Sequence, residues 1–360
     1  MLLDKPTVNL HHGPTEREML LPHRIRAAGD GFLWPDLLIV PEGSKTFIAW
    51  SSDESPLAGV LRFVGTGRVW AGSQDVQSAL AVFVTSVIDR LEEMRVDGTL
   101  LQEEWQTIAQ AAVEEVDFCD AAAALGLDPY DLDEETAERI QTIGTILGPE
   151  LADEFAAAAD PRRIAEDIDW VTHGLGRLKR DVGAPSRALG KLHQANLHDE
   201  VADAPWEVGW RQARIARHAL GMSDIDTFEF GELVRHHRRL DSADNALQAL
   251  ASATSRRVEV LLGFAAGLSA RRFIDGRALW RSLQTRDRAY LLTQGATFEQ
   301  RVEGAFAAEL LAPRRESRSS AKAKGVVSTD EVERLAKRFK ASPVVVGRQL
   351  ENQLGLAVTA

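Results

Sequence analysis

Arg271-Arg272-Phe273-Ile274-Asp275-Gly276-Arg277-Ala278-Leu279-Trp280-Arg281-Ser282-Leu283 carries Phe273, Gly276, Trp280 and Leu283 along one side, at the spacing of an amphipathic helix. Upstream, Val258, Val260 and Leu262 alternate as strand residues do. Downstream, Phe298–Leu311 is helical again and is closed by Pro313. A strand followed by two helices predicts mixed α and β structure with helix predominating.

The helical period continues in both directions. From Pro205, the residues Trp206, Trp210, Ala213, Ala216 and Leu220 mark one face of a helix stopped by Gly221. A second helix is expected over Thr227–Leu240 and a third after Ser242. Residues 314–325 are rich in Ser, Arg and Lys and read as a mobile loop. Val332, Leu335, Ala336 and Phe339 belong to a further helix, and Ser342-Pro343 caps a last one carrying Val346 and Leu350.

Toward the N-terminus, Leu37–Val40 and Thr46–Trp50 flank Pro41-Glu42-Gly43-Ser44 and predict a hairpin. A second strand pair is expected over Gly59–Val64 and Arg68–Trp70, turning at Gly65-Thr66-Gly67. Val76, Leu80, Phe83, Val84, Val87, Ile88 and Leu91 then follow a helical period, with Ser73 as N-cap, predicting one long helix laid over the sheet. The stretch Thr99–Asn196 is Ala-rich and helical. Phe118–Leu125 is a helix ended by Gly126, and Asp133 caps another with Ala137, Ile140 and Ile143 inward. This pair has helix-turn-helix spacing, but Asp133, Glu134 and Glu135 would repel phosphates, so two packed core helices are expected. Gly183–Gly190 reads as a connector.

The chain has 360 residues, enough for two or three cores, with 44% hydrophobic and 27% charged residues. The single cysteine, Cys119, excludes an internal disulfide. No apolar run approaches the roughly 20 residues that span a bilayer, and MLLDKPTVNLHHG lacks the features of a signal peptide, so a cytoplasmic protein is expected. A net charge of -12 disfavours nucleic acid, because phosphate binding relies on clustered cations. The basic segments Arg235–Arg239 and Arg314–Lys324 read as a solvated face and a loop.

Ala305-Phe306-Ala307-Ala308-Glu309-Leu310-Leu311-Ala312-Pro313 resembles the string that ends the catalytic core of ImmA/IrrE-like metallopeptidases. Val332–Pro343 is similar to that family's terminal helix pair, and Pro205-Trp206-Glu207 to its start, so the likeness spans about residues 205–356. It implies a C-terminal zincin-like fold within an α+β, predominantly α-helical chain. The expected organisation is an N-terminal sheet-plus-helix domain (1–98), a helical middle region (99–200) and an ImmA/IrrE-like domain (201–313). A flexible basic loop (314–325) follows, and a helical pair (326–360) completes the ImmA/IrrE-like domain.

In that family a helix supplies an HExxH zinc motif. The corresponding residues place Arg277 and Arg281 where the two histidines stand, and Ala278 where the general-base glutamate stands. The third family ligand falls near Val302, with Glu299 and Glu303 close by. Positions i and i+4 share a helix face, but guanidinium stays protonated and offers no lone pair to Zn²⁺. All nine histidines lie at or before His237, so no shifted alignment restores the motif. No catalytic residue, metal or cofactor is therefore expected. Arg271, Arg272, Arg277 and Arg281 either gather an anion or partner in the vacated cleft, or are neutralised by Glu299, Glu303 or Asp275. Ion pairing is the simpler reading.

The remaining constellations are bland. His11-His12 and His236-His237 are adjacent pairs whose side chains diverge, and His193 and His198 lack a helical register. Cys119 reads as a buried structural thiol, and Gly65-Thr66-Gly67 lacks the lysine and third glycine of phosphate loops. Trp34, Trp50 and Trp70 are expected to fill the core of the N-terminal sheet, with a surface partner site as the alternative for Trp34-Pro35. The resemblance implies a catalytically inactive sensor or adaptor that binds another protein in bacterial stress, phage or defence regulation. Alternatives are a peptidase with a non-standard or partner-completed site cleaving a repressor-like protein, and a DNA-associated regulator.

Overall fold

The computed structural model describes residues 20–29, 33–52, 62–178, 186–195, 197, 204–241, 246–254, 257–285, 288–295, 297–314 and 326–359. His11, His12, Asn196, His198, Ser242 and nearly all of the basic loop lie outside them. The fold is α+β and predominantly helical. It divides into two compact units, one formed by residues up to Trp105 with Ala202–Ala204 and Thr297–Glu299, the other by the remainder. No helix among the described residues is long and apolar enough to cross a membrane.

In the first unit, β1 (Asp36–Glu42) and β2 (Lys45–Ser51) form the expected hairpin, turning at Gly43, whose φ of 75° a glycine tolerates. The second expected strand pair is only partly present. β3 (Gly67–Gly72) pairs antiparallel with β2, Arg62–Val64 is irregular, and Gly59–Leu61 lies outside the described residues. Leu38 and Phe47 are buried, and the Trp70 ring packs 4.8 Å from Phe47. Trp50 lies over its register partner Gly67, where a Cβ would fall 2.3 Å from the indole. Trp34 and Trp50 are 40% and 38% exposed, so only Trp70 serves as the core aromatic expected of all three.

Helix α1 (Ser73–Glu93) begins as expected, with Gly72 rather than Ser73 at the cap position. Ser73 Oγ instead donates to the Gly43 carbonyl at 2.9 Å, tying the helix start to the hairpin. The expected cover over the sheet is incomplete: Val76, Val84, Ile88 and Leu91 are half-buried. No residue of α1 is buried, and Val82 and Phe83 are 68% and 67% exposed. Length explains part of this: a 21-residue helix runs about 31 Å, whereas strands of six or seven residues span about 20 Å. Helix α2 (Leu100–Glu114) follows.

The second unit is built on a four-stranded sheet of order β4-β6-β5-β7, formed by Val234–His236, Val258–Leu262, Leu247–Ala253 and Ala289–Thr293. β4 runs parallel to β6, while β5 is antiparallel to both β6 and β7. Helices α3 (Val116–Ala124), α4 (Glu134–Leu147), α5 (Pro149–Ala156), α6 (Ile164–Leu178) and α7 (Arg187–Gln194) precede it. Asp133 caps α4 by accepting from Thr136 N at 2.7 Å, and Ile140 and Ile143 are buried as expected. α3 and α4 are packed core helices, sharing one hydrophobic cluster with Ile168, Val171, Leu250, Leu261 and Leu291. Gly183–Gly190 is a connector only in part, since Ser186 caps α7 and the residues before it lie outside the described set.

Leu250, Leu261 and Leu291 form one cross-strand row facing α6. The flanking row of Ala251, Val260 and Tyr290 faces α9 (Leu268–Gln284), where Tyr290 Oη donates to Ala278 O at 2.7 Å. α8 (Pro205–Ala219) and α10 (Phe298–Leu311) flank α9. Gly209 of α8 meets α10 so closely that a Cβ would sit 2.4 Å from Val302 O. This contact rotates α8 from its expected face: Val208, Gly209, Gln212, Ala213, Ala216 and Arg217 are buried, and Trp206 and Trp210 only half so. α11 (Thr329–Phe339) and α12 (Pro343–Leu354) close the unit, with Ser342 capping α12 as expected; β8 (Val326–Ser328) and β9 (Ala357–Thr359) pair beside them.

Two expected helices are strands or loops. Over Thr227–Leu240 the chain is irregular around Phe228 and Phe230 and then forms β4. A helix would have stacked Arg235, His236, His237, Arg238 and Arg239 on one another, whereas β4 gives Arg235 and His236 a parallel neighbour in β6 and leaves Arg238 and Arg239 exposed. The helix expected after Ser242 is β5. Its Ala-rich run mimics helix propensity, yet both faces of a central strand are buried, so small apolar residues fit throughout.

Candidate functional site

α9 enters the core nearly all round, with Ile274 to Trp280 buried. Such a helix must neutralise any charge it carries inward, because an unpaired ion in a low-dielectric interior costs several kcal/mol. Arg277 is 6% exposed and its planar fork is fully used. Nε donates to Glu303 Oε1 at 2.9 Å, Nη2 to the same carboxylate and to Thr293 O at 2.7 Å, and Nη1 to Gln248 Oε1. Arg281, one turn on, pairs with Glu154 of α5, and its Nε lies 3.6 Å from Glu303 Oε2. Glu303 is 1% exposed and serves both cations.

The two positions read as lost histidines therefore do share a face, and the carboxylate facing them is Glu303 rather than its neighbour. Val302 is core: it is 1% exposed and packs toward α8. The pairing expected of the arginines holds for Glu303 alone among the three candidates. Glu299 belongs with the first unit, where Ser44 Oγ donates to it, and Asp275 lies 2.8 Å from His236 Nε2. Glu154 was not legible as a partner, because it stands 127 residues before Arg281 on a separate helix.

The ion cluster also closes the edge of the sheet. Among the described residues β7 pairs only with β5, so its outer groups face away from the sheet. Leu291 N donates to Glu154 Oε2 at 2.6 Å, and Thr293 O accepts from Arg277. Side chains thus occupy the positions at which an extended peptide would pair.

Burial raises the Glu154 carboxyl to about 7, outweighing the downward pull of Arg281 and of the Leu291 N–H. The folded state therefore holds an extra proton between the ordinary carboxylate range and pH 7. Its stability should fall as pH rises through that window and be unaffected by this group outside it. We expect the loss to be at most about 3 kcal/mol. Urea unfolding at pH 5 and pH 8 checks this, since Glu154→Gln should flatten the difference that the wild type shows. Equal slopes in both proteins would refute it.

The remaining arginines separate. Arg272 is 6% exposed, donates to Phe228 O at 2.5 Å and lies 5.5 Å over the Phe230 ring. Arg271 is exposed, away from the ion cluster. Arg277, Arg281 and Arg272 are thus committed to the fold, and no anion cleft forms between them. The Ala305–Pro313 string is structural as well. Phe306 and Leu310 are buried, and Glu309 accepts from Arg214 Nε at 2.9 Å, Gln349 Nε2 at 2.9 Å and Gln353 Nε2 at 2.7 Å, clamping α8 and α12 to α10. Cys119, expected buried, is half-buried.

The donor set does not fit zinc. Two permanently protonated groups occupy the helix face, and the facing carboxylate is consumed by them. No protein-family model matches the chain and no curated protein matches it.

Proposed function

We propose that this chain is a catalytically inactive ImmA/IrrE-like protein, acting as a sensor or adaptor through contact with another protein in bacterial stress, phage or defence regulation. The observation that carries this reading is the doubly shared Glu303, which turns a metal-type helix face into a cross-linked ion cluster. A cation would have to displace two guanidinium groups to enter. The occupied edge of β7 supports the same reading, because a peptide substrate would find neither Leu291 N nor Thr293 O free. With hydrolysis set aside, binding is what the surface of such a protein can offer.

Metal analysis of the purified full chain tests the proposal. After exposure to zinc and dialysis, the chain should retain no stoichiometric ion, show no metal-dependent rise in melting temperature, and leave a fluorogenic peptide library uncut. Stoichiometric zinc whose removal by chelator also removes a cleavage activity would overturn it.

A further inference from the structure

The notable cationic surface of the second unit lies beyond the ion cluster, at the start of α9. A cavity of about 300 Å³ opens there, lined by His236, His237, Arg239 and Arg271 with Leu262 and Phe264 among its apolar walls. No acidic side chain lines it. The carboxylates of the neighbourhood stand behind the imidazoles: His236 Nε2 lies 2.8 Å from Asp275, and His237 Nε2 lies 2.7 Å from Glu259. Asp275 and Glu259 are themselves buried, at 5% and 0% exposed, so they orient the rings without turning negative charge into the cavity. The His236–Asp275 approach is close but misaligned for a hydrogen bond, and His236 Nδ1 is shielded from solvent with no partner among the described residues. Arg239 leans on the exposed Asp241 at 2.7 Å, while Arg271 makes no ion pair among the described residues. The first turn of α9 carries no acidic residue and no side-chain cap.

We propose that this cavity binds the phosphate group of a small molecule. Arg271 and Arg239 supply fork-shaped donors to the oxyanion, the His236 and His237 rings line the cavity between them, and Phe264 offers an apolar wall to the remainder of the ligand. Concavity and the net charge of -12 favour a small phosphate over a nucleic-acid backbone, which needs an extended basic track. The site stands independently of the pseudo-peptidase reading: it uses none of Arg277, Arg281 or Glu303.

Calorimetric titration of the full chain with inorganic phosphate and with phenyl phosphate tests it. Both should bind, phenyl phosphate more tightly. Arg271→Ala and Arg239→Ala should each weaken binding about tenfold, as expected for loss of a charge-assisted hydrogen bond. Melting temperature should not change, since both side chains reach solvent. Arg348→Ala, at an exposed position on α12, should leave the affinity unaltered. Absence of heat from either probe at millimolar concentration, or affinities indifferent to Arg271 and Arg239, overturns the proposal. So does a short DNA duplex that binds more tightly than phenyl phosphate with a steep salt dependence, which would make the surface a nucleic-acid contact.

Discussion

Replacing Glu303 with alanine is expected to lower the unfolding free energy by about 3–5 kcal/mol, the range seen when one partner of a buried ion pair is removed. Two features place it at the upper end. Glu303 is 1% exposed, so no water reaches in to solvate what remains. It also neutralises two cations, and its loss leaves Arg277 with only the neutral acceptors Gln248 and Thr293 O. Arg281 would retain Glu154, whose carboxyl burial holds near pH 7, so this second partner is only partly ionised at neutral pH. The effect should be strongly non-additive. Combining Glu303→Leu with Arg277→Met removes the most buried pair and substitutes apolar volume, leaving Arg281 with Glu154, so the double variant should be more stable than either single one. Urea unfolding of the wild type, Glu303→Ala, the two single variants and the double variant checks this. Additive losses, or a Glu303→Ala cost below about 1 kcal/mol, would show that the cluster is not the electrostatic unit described.

Exchanging both arginines for histidine should produce the largest gain of function. Arg277→His with Arg281→His sets two imidazoles one turn apart on α9, facing a Glu303 carboxylate freed from its cations. Two nitrogens, one oxygen and a water form an ordinary tetrahedral zinc set. The double variant is expected to retain about one zinc ion per chain, to give the visible absorption of tetrahedral cobalt when loaded with Co²⁺, and to melt higher with metal than without. Ala278 would still provide no general base, so hydrolysis is not expected to accompany binding. A double variant that folds and keeps no metal would mean that the face of α9 and the carboxylate of α10 do not converge as a ligand set.

The elements that carry this cluster were the most legible in the sequence. α10 spans the predicted Phe298–Leu311, and α9 extends the predicted Arg271–Leu283 by three residues before it and one after, because periodicity, Pro313 and the polar flanks all agree. The sheet that supports them was read poorly. Only β6 alternates in sequence; β5 is Ala-rich and buried on both faces, and Ala289–Thr293 is too short for its pattern to separate a strand from a helix segment. The site was half legible. Spacing placed Arg277 and Arg281 on one face and put a glutamate nearby, but a one-residue uncertainty in register decided between buried core at Val302 and the ion pair at Glu303. Glu154 left no local signal, since tertiary packing alone brings α5 to β7. The partly covered stripe of α1, with Leu80, Phe83 and Val87 exposed, shows the opposite limit: amphipathic periodicity identifies a helix, not what lies against it.

A carboxylate shared between two guanidinium groups also ties the fates of these positions together. Removing Glu303 strands the Arg277 cation, and removing Arg277 leaves Glu303 with the longer, 3.6 Å approach of Arg281, in an interior that cannot hydrate either charge. Glu303 and its two arginines are therefore one electrostatic unit, with Glu154 attached to it through Arg281.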